Sequence, residues 1–502
     1  MAGRDGVFLT GATGLLGRYL LRDLLHAGHR VAVLARDTRS ADARERIRGL
    51  IDFGSRTLNA RLQQPTVICG DLQNAGLGLT ASDRGWLSRN CQSVVHSAAC
   101  VAFRPTTEGE PWATNLDGTS RLLNLCDGLG IQDFHHVSTA FVCGERDGPI
   151  LESNLDPGPF HNDYERSKCE AERLVRGHPA IRATVYRPSV IVGDSQTGYT
   201  SSYHGFYRFV ELADRLARPE GVSQMRRLPL RLPFSGDEPR NLVPVDWVSQ
   251  VILRIINRSD LHGRTYHLTS PEPVPVREIK RVAEGELDLS GVELAGPGQL
   301  LAPSELERAF QEGVREYWPY LAGDPMFDRR HTLAAVPDLP APRIDQENLT
   351  RLIRFGVANN WGRRPRKRSG KGEVDCAGYI EGYFPAAVTG SFLAKLPINA
   401  TLGFDIRGPG GGRWVCRFGE GRVLDVCRGS HEQAEVMYRM DTPTFAAIVT
   451  GRESPQAAFF ARRIEIIGSI EMGLKLAVLF GRFVRETPYQ PQAEEKHHAI
   501  AH

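Results

Sequence analysis

The sequence predicts an α/β fold, a doubly wound parallel sheet, followed by a separate α+β domain. Three observations carry this. Val7 to Asp37 reads as an apolar strand, a tight glycine turn, an amphipathic helix and a second apolar strand, a complete β-α-β unit. Short apolar runs then alternate with helical stretches as far as Thr265-Tyr266-His267-Leu268. Past residue 361 a basic Pro/Gly/Ser run intervenes, and the chain resumes with alternating strands.

Within the first unit, Val7-Phe8-Leu9 fits a buried parallel strand, and Gly11, Gly14 and Gly17 follow at intervals of three. Leu15, Leu16, Leu20, Leu21, Leu24 and Leu25 share one helical face, Gly28 closes the helix, and Val31 to Leu34 form the second strand. The glycines have a physical task. A dinucleotide pyrophosphate rests on a helix N-terminus only where no side chain covers the backbone N–H groups, and the third glycine lets helix and strand pack closely. Candidate cofactor contacts are therefore Gly11, Thr13, Gly14, Leu15, Leu16 and Gly17, the alternative being that three glycines only mark a loop. About twenty residues further, an acid binds the ribose 2′-hydroxyl of NAD, whereas a cation accommodates the 2′-phosphate of NADP. Arg36 stands there, followed by Asp37 and Arg39, which favours NADPH over NADH.

The 502 residues imply more than one domain, at about 100–200 residues each. With 62 Lys+Arg against 59 Asp+Glu the net charge is only +3, so nothing global points to nucleic acid. Nine scattered cysteines lack the spacing of a disulfide framework or a zinc site, so no metal and a reduced, cytoplasmic setting are expected. The N-terminus runs straight into the first strand, which leaves no room for a signal peptide. No apolar run reaches the roughly 18 residues of a spanning helix, although peripheral membrane contact stays open.

Taken in order, Ser40 to Arg61 is helical in pattern, and Pro65 to Gly70 is a third strand ending in Asp71-Leu72. A short acid at that edge can accept from the adenine amino group, or it can cap the next turn. Ser93 to Ala99 reads as the fourth strand, where small Ala98 and Ala99 leave room for a ligand. The fifth is Phe134 to Gly144, and adjacent His135 and His136 on a strand point to opposite faces and are structural. Tyr164 and Lys168 then stand four apart, one turn along a helix face. A phenol is a poor acid at neutral pH, but a neighbouring ammonium lowers its pKa toward the useful range. Lys168 is thus expected to tune Tyr164 and hold the nicotinamide ribose, while Thr139 or Ser138 polarises a carbonyl oxygen. Ala183 to Asp194 forms the sixth strand and its exit, with Pro188 placed to contact cofactor or simply to stop pairing.

Several of these motifs resemble one superfamily. Thr10-Gly11-x-x-Gly14-x-x-Gly17 resembles the turn of extended short-chain dehydrogenases/reductases. His96 to Phe103, Asn115-Leu116-Asp117-Gly118-Thr119, Arg187-Pro188-Ser189-x-x-x-Gly193 and Asn241 to Val248 resemble thioester reductase domains and fatty acyl-CoA reductases. The resemblance implies a Rossmann sheet with a small substrate-lid subdomain and places the adenine on Asp71-Leu72. It also implies that Asn115 holds water, against its alternative as a helix cap, and that the Pro188 segment lines the nicotinamide. It selects Thr139 over Ser138 beside Tyr164 and Lys168 as the catalytic set. The lid would span Gly198 to Pro239, where Tyr199, Tyr203, Phe206, Tyr207 and Phe209 either receive an acyl chain or form a small core. Arg226, Arg227 and Arg231 either meet coenzyme A or phosphopantetheine phosphates or form a solvated cluster. No chemistry is assigned to residues 285–361, although Ser304 to Tyr317 is helical in pattern.

Behind the basic run Gly362 to Gly372, the strands Ala400 to Ile406, Gly412 to Phe418 and Arg422 to Val426 and the apolar helix Met472 to Phe483 resemble a sterol carrier protein type two domain. That resemblance implies a lipid-binding tunnel. The expected organisation is a reductase domain over 1–361, a linker over 362–376, a lipid-binding domain over 377–489 and a tail over 490–502. The leading function is NADPH-dependent reduction of a long or lipid-like acyl thioester, on coenzyme A or a carrier protein, to aldehyde or on to alcohol. Alternatives are a dehydrogenase or reductase of a sterol, polyketide or other lipid alcohol or ketone, and a lipid-transfer protein with a non-catalytic reductase scaffold.

Overall fold

The computed structural model describes residues 5–38, 41–146, 148–217, 226–362, 374–429 and 434–490. Two compact units are present. The first comprises Met1–Arg208, Phe234–Glu286 and Glu316–Gly362, and the second Phe209–Pro233, Leu287–Arg315 and Arg363–His502. Most of the basic run and the C-terminal tail lie outside the described residues.

The first unit is built on seven strands: β1 (Gly6–Thr10), β2 (Val31–Ala35), β3 (Thr66–Cys69), β4 (Cys91–His96), β5 (Asp133–Val137), β6 (Arg182–Pro188) and β7 (Thr265–Leu268). Their spatial order is β7-β6-β5-β4-β1-β2-β3, and every pairing is parallel. β1 and β2 are buried at every position, as strands covered on both faces must be. Val7 and Leu9 enter one core with Leu16, Leu20 and Leu24 of helix α1 (Leu15–His26), and with Val248 and Ile252 of the helix Val245–Ile256. Phe8 points the other way, into a second core with Val94, Leu122 and Phe134. One apolar strand thus feeds two helical layers. The order reverses between β1 and β4, and the crevice at their carboxyl ends is where such sheets bind ligands.

Two strands are shorter than their apolar runs suggest. β5 stops at Val137, because the Thr139 side chain accepts from the Phe141 amide at 3.3 Å and caps a short 3₁₀ turn over Ala140–Cys143. The sixth run divides after Pro188, and Val190–Val192 pairs instead with Leu242–Pro244. Between β4 and β5 lies helix α2 (Gly118–Leu129), and between β5 and β6 helix α3 (Asp163–Gly177).

In the second unit, β8 (Ala400–Arg407), β9 (Gly412–Gly419), β10 (Arg422–Arg428), β11 (Val436–Asp441) and β12 (Ile464–Gly468) form a mixed sheet in the order β10-β9-β8-β11-β12. Only the β8–β11 pairing is parallel. Helices Thr442–Val449, Pro455–Phe460 and Ile470–Glu486 accompany it. The strands Arg226–Leu232 and Leu289–Leu294, paired in parallel, and the helix Glu305–Gly313 belong to this unit as well. Among the described residues, no helix is long and apolar enough to cross a membrane.

Candidate active site

The glycine turn closes on itself by contacts that only glycine allows. Gly11 has φ +77°, and a Cβ there would overlap the backbone nitrogen of Ala98. A Cβ on Gly17 would overlap the carbonyl oxygen of Gly11, so this residue is what brings α1 against the turn. Gly14 is the N-cap of α1 and has no side-chain cap, which leaves the first amides of the helix, those of Leu15 and Leu16 among them, without a side-chain acceptor from the cap. Thr13 accepts at its carbonyl from Arg18 at 3.2 Å, so a cation also lies along the turn. This bare, positively polarised helix end fits a pyrophosphate.

At the end of β2 the Arg36 side chain is 64% exposed, 3.3 Å from the carboxylate of Asp71. Arg46 donates to the Arg36 carbonyl at 2.6 Å and sets a second cation beside it. Asp37 is committed elsewhere, accepting from the Ala43 amide at 2.8 Å. Asp71 also caps its own turn through the Gln73 amide at 3.0 Å, and Leu72 is buried behind it. Ala98 and Ala99 follow β4, with the Ala98 amide 3.4 Å from the Thr10 hydroxyl. Pro188 ends β6, buried and paired with Leu268.

The chemistry-bearing side chains meet beyond β5. Asn162 caps α3 by accepting from the Glu165 amide at 3.0 Å, and Tyr164 and Lys168 lie one turn apart on that helix. Thr139 stands close enough to the Tyr164 phenol to oppose the rise in its pKa. Ser138 faces the other way, donating to Glu172 at 2.8 Å, and Glu172 forms a fully buried ion pair with Arg187 at 2.6 Å. The two neighbouring hydroxyls therefore have different surroundings, one in the crevice and one in the protein interior.

Lys168 is not among the groups that set the Tyr164 phenol in this structure. Burial pushes Tyr164 up to about 12, the adjacent Glu165 adds to this, and Thr139 only partly opposes it. Lys168 instead donates to the carbonyl of Val137 at 2.7 Å, and burial pulls its ammonium down to about 8 against the charge of Glu172. Its ammonium is satisfied by the strand end rather than spent on the phenol.

Asn115 is not a helix cap. It is buried and donates to Ser167 on α3 at 2.9 Å, while exchanging hydrogen bonds with both backbone groups of Cys100. His135 and His136 are both buried and lie on opposite sides of β5. His135 pairs with the Tyr186 hydroxyl at 2.9 Å, and His136 packs beside His96.

Residues 316–327, to which the sequence assigns no chemistry, supply rings to the site. The Tyr320 phenol donates to Glu165 at 2.5 Å and accepts from Asn162 at 2.7 Å. Phe103 lies 6.3 Å from the Tyr164 ring and 5.3 Å from Tyr317. No periodicity marks this segment, a run of 3₁₀ turns over Arg315–Ala322 interrupted by Pro319, so only the fold places it there. The lid aromatics Phe206 and Tyr207 are buried, with the Gly193 amide donating to the Tyr207 hydroxyl at 2.9 Å, and so serve as core. Arg226 and Arg231 pair with Asp214 and Glu307.

The second unit carries an apolar cavity, walled by Tyr379, Phe384, Phe404, Phe445, Phe480 and Phe483. Tyr438 turns its hydroxyl to the Gly473 carbonyl at 2.7 Å and offers the cavity only its ring.

Residues 9–252 match the family model described as male sterility protein, an NAD-binding domain, and residues 395–481 match the SCP-2 sterol transfer family. The aldehyde reductase lnaA of Aspergillus flavus is 27% identical over 395 residues, 70% of this chain and 36% of that protein. The nonribosomal peptide synthetase asaC of Aspergillus flavus is 28% identical over 291 residues, 55% of this chain and 27% of that protein. The chain thus spans about a third or less of the length of these relatives. The terminal R domain of the myxalamid PKS-NRPS biosynthetic pathway shares the fold, with a TM-score of 0.56 at 23% identity over 73% of this chain and 94% of that one. Residues 9–252 of this chain therefore carry a male sterility protein NAD-binding domain, joined to a domain of the SCP-2 sterol transfer family over residues 395–481.

Proposed function

We propose that this protein reduces an acyl thioester, with a long or lipid-like acyl group on coenzyme A or a carrier protein, to the aldehyde, using NADPH. The observation that carries the reading is the meeting of Thr139, Tyr164 and Lys168 at the end of β5, beside the turn of Gly11, Gly14 and Gly17. The relatives that are peptide synthetases and the R-domain fold support a thioester as the group reduced. Arg36 and Arg46, with Asp37 turned away to Ala43, support the phosphorylated cofactor.

When bound, the nicotinamide supplies a hydride to the carbonyl carbon. Thr139 donates a hydrogen bond to the carbonyl oxygen as negative charge develops there. Tyr164 gives that oxygen its proton, which a phenol held near 12 retains at neutral pH. Lys168, fixed to the Val137 carbonyl, holds the ribose side of the site. Loss of the thiol from the resulting hemithioacetal breaks the C–S bond and leaves the aldehyde. The likeness to an aldehyde reductase supports a second reduction to alcohol at the same residues. The SCP-2 domain supports a lipid partner, its apolar cavity suiting the hydrocarbon end of the acyl group.

The test is NADPH oxidation with acyl-CoA and acyl-carrier-protein panels, ketones and secondary alcohols being run in parallel. Thioester turnover should fall by about 10²-fold or more in Tyr164→Phe. Turnover confined to ketones or alcohols, or an undiminished Tyr164→Phe enzyme, would overturn the reading.

A further inference from the structure

The second unit contains a buried ion pair that joins the stretches matched by the two families. Arg462, next after the C-cap of the helix Pro455–Phe460, places its guanidinium on the carboxylate of Glu211 in the helix Phe206–Leu216. Glu211 lies in the male sterility match and Arg462 in the SCP-2 match. The two side chains are only 4% and 8% exposed. Arg215, one turn beyond Glu211, donates to the Phe459 carbonyl at 2.5 Å and lays its guanidinium 4.4 Å over the Phe459 ring. The helix Glu305–Gly313 packs against the helix Ile470–Glu486 in the same unit.

One feature marks this contact as built rather than incidental. A charge this deeply buried is tolerated only with its partner in place, so each residue makes the other obligatory. Arg462 has φ +61° as the residue that ends the helix, its amide donating to the Phe459 carbonyl at 2.9 Å and the Arg463 amide to the Ala458 carbonyl at 2.7 Å.

We propose that Glu211 and Arg462, seconded by Arg215 on Phe459, are an internal latch that clamps the SCP-2 domain to the lid elements Phe206–Leu216, Arg226–Leu232 and Leu289–Leu294. Lid and lipid-binding domain then form one body. The latch is the attachment. The surface on the lid fits one partner, the SCP-2 domain of its own chain.

The test cuts the chain and asks what remains attached. A protease site is inserted between residues 363 and 373 of the full chain, the protein is cleaved, and the halves are followed by size exclusion and analytical ultracentrifugation. The wild-type halves should co-migrate at micromolar concentration. Glu211→Arg or Arg462→Glu alone should weaken their association at least tenfold, and the two together should recover most of it. Separation of the wild-type halves, or co-migration indifferent to both reversals, overturns the latch. If a reversal variant fails to accumulate, Arg462→Met, which keeps the stem and removes the charge, is cleaved instead. Unchanged association of that variant likewise overturns it. The readout is association, so a failed latch and a failed thioester assignment are told apart.

Discussion

Thr139 and Ser138 are adjacent hydroxyls, and both the spacing and the chemistry of the sequence leave the choice between them open. Alternation along an extended backbone sends one into the crevice beside Tyr164 and the other into the interior against Glu172. The two should therefore fail differently. On the proposed mechanism, in which Thr139 donates to the reacting oxygen, Thr139→Val should lower kcat about 10²-fold with the melting temperature little changed. Ser138→Ala should leave kcat within a few-fold and lower stability by about 1–2 kcal/mol, because it strips a hydrogen bond from a buried carboxylate. Steady-state kinetics and denaturant unfolding of both variants decide this. The reverse pattern would exchange the assignments. Tyr164 gives a second lesson at this scale. Its spacing from Lys168 is plain in the sequence, but the direction of the Lys168 ammonium is not, and it points to Val137.

At the scale of elements, the β-α-β unit was almost wholly legible. Gly11 and Gly17 sit where backbone approaches backbone, which no other residue permits, so their spacing encodes the turn directly. The end of β2 was legible only in part. Arg36 and Asp37 are neighbours in sequence, and what separates their roles is that Asp37 binds the Ala43 amide six residues on. On the NADPH reading, Arg36→Ala should raise KM for NADPH about 10- to 100-fold, the worth of a lost charge-assisted contact, and leave KM for NADH nearly unchanged. Equal effects on both cofactors would count against a 2′-phosphate at this residue. The lid resisted reading for the opposite reason. Its aromatic crowding suits either a ligand or a core, and burial of Phe206 and Tyr207 decides for core. The rings that pack on Phe103 beside Tyr164, Tyr317 and Tyr320, come from irregular turns with no pattern to announce them.

Over the whole molecule, burial of neutral imidazoles should govern acid stability. Burial holds His96, His135 and His267 down to about 3 and His136 well below its ordinary value. Their folded pKa values are depressed, so this stability is complete above the unfolded value near 6.5 and drains away as pH falls toward 3. Each contributes a slope of about 1.4 kcal/mol per pH unit in that window. Denaturant midpoints should therefore drop steeply between pH 6.5 and 4. His136→Phe should flatten the slope by about one proton, since among the described residues neither ring nitrogen of His136 has a hydrogen-bond partner. An unchanged slope in that variant would show that His136 is not among the groups responsible.

The sequence by itself determined the parallel sheet, the cofactor turn and the two-domain order, because strand burial, glycine spacing and helical periodicity are local requirements written residue by residue. Only the tertiary structure decided which hydroxyl faces Tyr164, where the Lys168 ammonium goes, which distant rings line the site, and that the lid strands share a compact unit with the C-terminal domain. Those choices depend on groups far apart in the chain competing for the same buried space and hydrogen bonds, and no local pattern records the outcome of that competition.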